Sequence, residues 1–257
     1  MLKKYYKFFC NIYSFIITYF ENKYFKIKKN SNLTDNDLFK YGYQKIRLKN
    51  KLVNEIDVKR EIKSNKYISR LIIDKKSLTK ILETIFIDFQ LSKKLTEITN
   101  FNYSIDYITY YKNIGISDSD KHLEWYANHW HLDQPFSKNS LKIIFSLKKI
   151  DQISQGGIQI LDKINSKIFS SLADQQKNLL SYKMMADECE LIIFNPNICY
   201  HKAGTIDGEY TREQVMIQLN PSKNWVLNSN IYKKQYKIEP KFPFFSYFFD
   251  KKIRLNK

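Results

Sequence analysis

Residues 128–135 read NHWHLDQP, and the spacing within this stretch is the most informative in the chain. Side chains two positions apart in an extended strand point to the same side of the backbone. His131 and Asp133 therefore present an imidazole and a carboxylate to one point in space. A further imidazole from another strand would complete two histidines and one carboxylate on one face of a metal. Such a set leaves coordination positions open, which is typical of non-haem ferrous iron.

The second imidazole has one candidate that is distant in sequence. The chain has four histidines, and only His201 lies far from the stretch, 68 positions after Asp133. It follows the apolar run 191–194 and an Asn-Pro-Asn turn. The spacing makes His131, Asp133 and His201 the candidate metal ligands. His129 and His131 also share one strand face, so a three-histidine site of the kind that zinc occupies stays open as an alternative.

An arginine follows at a position suited to an anion. Arg212 lies 11 positions after His201, at the start of the next strand candidate, and it is one of five arginines among 43 basic residues. A guanidinium can bind a carboxylate through two parallel hydrogen bonds, which the ammonium of a lysine cannot do. Gln214 shares the face of Arg212, and polar and apolar residues alternate after it. This pattern indicates a strand that lines a pocket.

The segments around these residues favour a mainly β fold. Several short runs rich in β-branched and aromatic residues are separated by turns, which favours a sandwich or jelly roll over alternating strands and helices. The strand candidates are Tyr103–Tyr111, Leu141–Leu147, Gly157–Leu161, Leu191–Phe194 and Gln214–Leu219. The first hundred residues read as mainly helical, with the clearest helical periodicity over Ser77–Phe89. Residues 164–186 read as a longer, partly helical connection that can cover a site.

Taken together, these segments resemble the phytanoyl-CoA dioxygenase-like family of Fe(II)/2-oxoglutarate-dependent oxygenases. That family shows H-x-D, a hydrophobic strand, a glycine-containing turn and strand, and an apolar strand with F-x-P that leads into a histidine. An arginine follows about ten residues later. Here the matching segments are HLD at 131–133, LKIIFSL at 141–147, GGIQI at 156–160 and ELIIFNP at 190–196, then His201 and Arg212. The resemblance spans about residues 103–221.

The resemblance implies a double-stranded β-helix (a jelly roll, cupin-like) with the helical N-terminal region packed on it. It also implies iron on His131, Asp133 and His201, and Arg212 on the distal carboxylate of 2-oxoglutarate, with Gln214 beside it. The implied reaction consumes O2 and oxidises a small-molecule, lipid-like or sugar substrate. Hydroxylation is favoured, because halogenating relatives replace the acidic ligand with a small residue and Asp133 is present here.

Two positions depart from the family pattern. Glu190 stands where a glycine often precedes the last-but-one strand, and Ala203 stands where a small hydroxyl residue often follows the distal histidine. Both concern secondary contacts to 2-oxoglutarate. Two other functional classes stay open as alternatives, a non-catalytic jelly-roll binding protein and a membrane-surface adaptor.

The amino-acid composition limits which partners and which cellular compartment we expect for this protein. The net charge of +17 comes mainly from lysine in a chain that is also rich in Asn, Ile, Tyr and Phe, a profile typical of an AT-rich genome. No nucleic-acid-reading motif accompanies the charge, so we do not expect a nucleic-acid partner. Three cysteines without C-x-x-C spacing argue against a disulfide framework and favour a cytoplasmic protein. We expect residues 1–100 to form a helical region or cap, 101–225 the catalytic core and 226–257 a C-terminal extension.

The N-terminus carries an aromatic run. Phe8–Phe20 is apolar apart from Asn11, Ser14 and Thr18, and Lys3 and Lys4 precede it. A membrane-spanning helix needs about 20 mostly apolar residues, so the run is too short to cross a bilayer. Two expectations follow, a helix laid on the main domain or an interfacial helix that gives peripheral membrane contact.

Overall fold

The fold is organised around one long antiparallel pair, β4 (Asn102–Ile114) and β9 (Thr211–Ser222). The computed structural model describes residues 2–27, 36–48, 56–133, 137–171, 189–235 and 251–255. In β9 the side chains alternate as the sequence predicts. Val215, Ile217 and Leu219 are buried in the main core, whereas Arg212 and Gln214 face a cavity on the other side.

The described residues form two sheets. The larger has nine strands in the order β1-β7-β5-β9-β4-β10-β11, and β3 pairs with β4 and β2 with β3. Its other strands are β1 (Tyr43–Arg47), β2 (Val58–Lys63), β3 (Ile68–Ile73), β5 (Leu141–Ser146), β7 (Glu190–Phe194), β10 (Val226–Asn228) and β11 (Lys252–Arg254). The smaller sheet joins β6 (Gln159–Ile160) to β8 (His201–Lys202). A cavity lies between the two, so the predicted double-stranded β-helix is confirmed.

Helices cover the outer face of the large sheet. They are α2 (Asp37–Tyr41), α3 (Lys75–Glu83), α4 (Leu91–Thr99) and α6 (Ile231–Lys234), with a π-helical turn at Thr84–Asp88. Two more helices are α1 (Leu2–Tyr24) and α5 (Lys163–Ser171). The predicted helix over 77–89 is thus present, and Asp74 caps its start by accepting hydrogen bonds from the backbone N–H groups of Lys76 and Ser77. The apolar faces of α3 and α4 pack on the apolar face of β4, β5 and β9.

The sequence interpretation of the first hundred residues as mainly helical was incomplete. The first hundred residues contain β1, β2 and β3 as well as helices, and β1 and β3 pair with strands of the large sheet. The strand β2 reads VKREIK and is almost fully exposed. Its long charged side chains have no strand-like preference, so its extended form depends on pairing with the neighbouring strand β3. Residues 172–186 of the predicted connection, and residues 236–250 and 256–257 of the predicted C-terminal extension, lie outside the described residues.

Candidate metal centre

The two candidate histidines are joined through their backbones. His131 and His201 form an isolated antiparallel bridge, in which each N–H donates to the carbonyl of the other at 3.1 Å. The rings consequently lie side by side, with centroids 4.4 Å apart. The backbone N–H of Asp133 donates to the carbonyl of Pro196 at 2.9 Å, which ties the end of this segment to the turn before His201.

Backbone hydrogen bonds also determine which ring nitrogens are free. Nδ1 of His131 lies 2.8 Å from the carbonyl oxygen of His129, and Nδ1 of His201 lies 3.0 Å from that of Cys199. A carbonyl oxygen can only accept, so each Nδ1 carries a proton, and Nε2 is the ring nitrogen that can bind a metal. These Nε2 atoms lie 3.6 and 3.7 Å from the same oxygen, Oδ1 of Asp133.

Asp133 is held from its other side by a lysine. Its side chain is 11% exposed, and Nζ of Lys142 on β5 lies 2.5 Å from Oδ2. Burial raises the pKa of Asp133, but the positive Lys142, followed by the two histidines, outweighs burial and places the pKa below its usual value. The carboxylate is therefore ionised and directs Oδ1 towards the two imidazoles.

The donor set fits a divalent transition metal. One ligand atom from each of His131, Asp133 and His201 lies within 4.8 Å of the others. Two imidazoles oriented by backbone carbonyls, with one carboxylate, match the two-histidine, one-carboxylate set of non-haem iron. The structure brings these three residues together, and their role as ligands stays a prediction. His129 contributes its backbone carbonyl, while its side chain is exposed and lies outside the cluster.

Arg212 is buried, and the described part of the chain offers it no acidic partner. Its residue is 3% exposed, and its guanidinium donates to the carbonyls of Gly156 and Gly204 and reaches Oδ1 of Asn113 at 3.4 Å. Its Nε has no hydrogen-bond partner, and no ion pair to it occurs among the described residues. Burial lowers its pKa to about 10. A buried cation whose contacts are all neutral is costly, so the site is suited to an anionic ligand.

Close packing between two backbone segments positions the carbonyls that accept hydrogen bonds from Arg212. Gly156 has φ +68°, and a Cβ added there would lie 2.6 Å from the carbonyl oxygen of Gly204. A Cβ on Gly204 would lie 2.4 Å from the carbonyl oxygen of Gly157. Any larger residue would push these two segments apart. Three of the six glycines in the chain, Gly156, Gly157 and Gly204, therefore lie at this close contact.

One cavity connects the histidine pair and the arginine. Its volume is about 370 Å³, and its wall includes His131, Asp133, Lys142, His201, Arg212 and Gln214. Most of the remaining wall is apolar or aromatic: Ile68, Tyr111, Trp125, Tyr126, Ile144, Ile158, Phe194, Ala203 and Met216. A cavity of this size with a few convergent polar groups is typical of a small-molecule site.

Of the other residues near the predicted site, some line the cavity and others pack elsewhere. Trp125 and Tyr126 line the cavity, and the Tyr126 ring lies 5.4 Å from Cζ of Arg212. Asn128 is buried and bonds within its own turn. Gln214 lines the cavity and donates to Oγ of Ser146 at 3.1 Å. Cys199 and Tyr200 pack away from the cavity wall.

Lys142 was missed by the sequence interpretation. It lies in the run LKIIFS, in which Leu141, Ile143 and Phe145 join the core and the alternate residues face the cavity. A lysine at a cavity-facing position of an otherwise apolar strand is the signal that identifies it, because a buried ammonium needs an anionic partner.

The buried imidazole predicts acid sensitivity of the metal-free protein. Burial lowers the pKa of His201 to about 3, below the ordinary value of 6.5. Between these values the unfolded chain binds a proton that the folded protein does not, so acid favours unfolding. We expect the free energy of unfolding, measured with urea in the presence of a chelator, to fall by up to about 1.4 kcal/mol per pH unit below pH 6.5 from this group. A profile in His201→Gln as steep as in the wild type would contradict the assignment.

No helix among the described residues is long and apolar enough to cross a membrane.

Among known proteins, only solved structures resemble this chain. No family model matches the chain, and no curated protein matches its sequence. Similar solved structures include SnoN, the non-haem α-ketoglutarate-dependent epimerase from nogalamycin biosynthesis, with 9% identity over 72% of this chain and 79% of SnoN (TM-score 0.48).

Two other solved structures show a comparable likeness. HygX from Streptomyces hygroscopicus, with nickel, 2-oxoglutarate and hygromycin B bound, has 8% identity over 73% of this chain and 86% of HygX (TM-score 0.49). EctD from S. alaskensis with bound iron has 10% identity over 76% of this chain and 80% of EctD (TM-score 0.49). At such identities the function of this chain must be inferred from its own side chains.

Proposed function

We propose that this protein is an Fe(II)- and 2-oxoglutarate-dependent oxygenase that oxidises a small molecule. The observation that carries the proposal is one cavity whose wall includes both a two-histidine, one-carboxylate cluster and a buried arginine that has no acidic partner among the described residues. The first feature suits ferrous iron, and the second suits the free carboxylate of a dicarboxylic acid.

Each residue has a defined task under this proposal. His131, His201 and Asp133 hold the iron, and the carbonyls of His129 and Cys199 keep both imidazoles in the metal-binding tautomer. When bound, iron with 2-oxoglutarate and O2 supplies the oxidising power to attack a C–H bond.

The remaining wall of the cavity orients the co-substrate and excludes water. Arg212 binds the distal carboxylate of 2-oxoglutarate, which replaces the missing anionic partner of the guanidinium. Ile144, Phe194 and Met216 form part of the apolar wall of the cavity that contains the cluster. The largely apolar wall favours a substrate with an apolar part, such as a lipid-like molecule or a sugar derivative, and hydroxylation is the simplest outcome.

The test is a binding spectrum recorded without oxygen. Purified protein is mixed with Fe(II) and 2-oxoglutarate, and a weak visible charge-transfer band is expected when the keto acid chelates iron. Admission of O2 should then convert 2-oxoglutarate to succinate, slowly without substrate and faster with it. A folded protein that shows neither the band nor affinity for 2-oxoglutarate would exclude the proposed function.

Lys142 gives a prediction about the metal-free site. In Lys142→Met the buried carboxylate of Asp133 loses its cation, and we expect the free energy of unfolding of the metal-free protein to fall by about 3–5 kcal/mol. A divalent metal would replace the lost positive charge. The rise in Tm on adding Mn(II) should therefore be larger in Lys142→Met than in the wild type.

The exposed Lys148 provides the matched control. It lies just after β5 and pairs with Glu213 at 3.6 Å near the surface. Lys148→Met should change neither the Tm nor its response to Mn(II). An equal or smaller Mn(II) response in Lys142→Met would show that Lys142 does not balance the charge of Asp133.

A further inference from the structure

The helix α1 presents an apolar stripe to the surroundings. Six residues of the stripe are 42–70% exposed: Tyr5, Phe8, Ile12, Phe15, Ile16 and Tyr19. With 3.6 residues per turn, they fall within an arc of about 100° on one face of the helix. Contiguous exposed apolar side chains of this size are uncommon on the surface of a protein without a partner.

The opposite face of α1 is anchored to the body of the protein. Cys10, Ser14, Ile17 and Glu21 are buried on that face. Glu21 accepts hydrogen bonds from Oγ of Ser137 at 2.5 Å and from Nδ2 of Asn139 at 3.1 Å. About one turn earlier in the helix, Oγ1 of Thr18 accepts a hydrogen bond from the backbone N–H of Lys138 at 2.9 Å. These contacts orient the helix, so the stripe points outwards.

A basic pocket lies at the end of the same helix. It has a volume of about 240 Å³, and its described lining includes Lys26, Lys138 and Lys163 but no carboxylate. Asn22 of α1 also lines it, at the edge of the stripe. The only acidic residue of α1 is Glu21, which is buried, so no carboxylate of the helix is exposed beside the stripe.

We propose that the stripe and the lysine pocket together form a docking surface for an anionic lipid membrane. Phenylalanine, tyrosine and isoleucine on one face of a helix suit the boundary between headgroups and acyl chains, and lysines beside them suit anionic headgroups. The net charge of +17 adds a long-range attraction to such a surface. The charge complementarity favours a lipid surface over a second copy of this strongly basic chain. This inference does not depend on the proposed reaction.

The test uses the full-length protein and sedimentation with vesicles. We expect binding to vesicles of equal parts phosphatidylserine and phosphatidylcholine, much weaker binding to phosphatidylcholine alone, and a loss of binding as salt is raised. The double variant Phe8→Ser/Phe15→Ser should lower the affinity for the anionic vesicles at least about tenfold. Lys26→Glu/Lys138→Glu should lower it at least about tenfold as well.

Matched controls distinguish this surface from general stickiness and charge. Leu123→Ser/Ile153→Ser removes two exposed apolar side chains elsewhere, and Lys93→Glu/Lys233→Glu makes the same charge change outside the pocket. The apolar control should bind as the wild type does, the charge control should lose at most a few-fold through its lower net charge, and all four variants should keep the wild-type Tm. Wild-type protein that stays in the supernatant, or stripe variants that bind like their controls, would overturn the proposal. A wild-type dimer that dissociates in Phe8→Ser/Phe15→Ser, without vesicle binding, would also overturn it and assign the stripe to a second copy.

Discussion

Replacing Asp133 by Ala is expected to abolish the charge-transfer band of the anaerobic Fe(II)–2-oxoglutarate complex and to weaken metal binding more than about 100-fold. Loss of a partner to a metal ligand alone typically costs 10–100-fold, and here a ligand itself is removed. Calorimetric titration with Mn(II) measures the affinity without any turnover. An unchanged Mn(II) affinity in Asp133→Ala would show that the metal, if bound, lies elsewhere.

Two further variants separate metal loss from unfolding. Asp133→Ala leaves the ammonium of Lys142 buried without its carboxylate, which should cost about 3–5 kcal/mol of stability. The double variant Asp133→Ala/Lys142→Met should recover most of that stability and still lack the band. His129→Ala is the control within the motif, because its exposed side chain lies outside the cluster while its carbonyl, which orients His131, is kept. It should bind Mn(II) as the wild type does, whereas a three-histidine site would lose affinity.

Replacing Arg212 by Met is expected to raise the Kd for 2-oxoglutarate by roughly 30-fold or more, because truncation of one partner of a buried charge pair costs about 2–5 kcal/mol. Mn(II) affinity should stay within a few-fold of the wild type, since Arg212 lies outside the cluster. Arg212→Lys should recover little, because an ammonium cannot reproduce the two-pronged contact. Calorimetry on the Mn(II)-loaded protein measures each Kd.

The Tm of Arg212→Met shows whether the arginine binds 2-oxoglutarate or only supports the fold. Replacement of Arg212 by an apolar residue of similar length removes a buried charge but also removes the hydrogen bonds to the carbonyls of Gly156 and Gly204. Because these two effects oppose each other, the Tm of the ligand-free protein should change little. The rise in Tm caused by 2-oxoglutarate should disappear. Arg60, exposed on β2, provides the control, and Arg60→Met should keep the rise. A destabilised Arg212→Met that still binds 2-oxoglutarate would mean that the arginine only supports the fold.

Much of the sheet follows from local pattern. The alternation in 212–219 predicts two faces for β9. Val215, Ile217 and Leu219 enter the core, and Arg212, Gln214 and Met216 line the cavity. The apolar runs at 141–146 and 190–194 are strands for the same reason. The strands β1, β2 and β3 were not predicted. β1 is held extended by β7, which lies far along the chain, whereas the highly charged β2 shows no strand-like periodicity and depends on the neighbouring β3.

The sequence by itself determined the strand pattern, the residue types of the cluster and the common side of His131 and Asp133, because these depend on the two-residue repeat of extended backbone. Only the tertiary structure decided that His201 bridges to His131, that Lys142 reaches Asp133 and that Arg212 is buried with no acidic partner among the described residues. It also decided which face of α1 is exposed. These features depend on how whole segments of the chain pack together, several of them tens of residues apart. The energy of such arrangements comes from packing and desolvation across the whole core, which no local window of sequence contains.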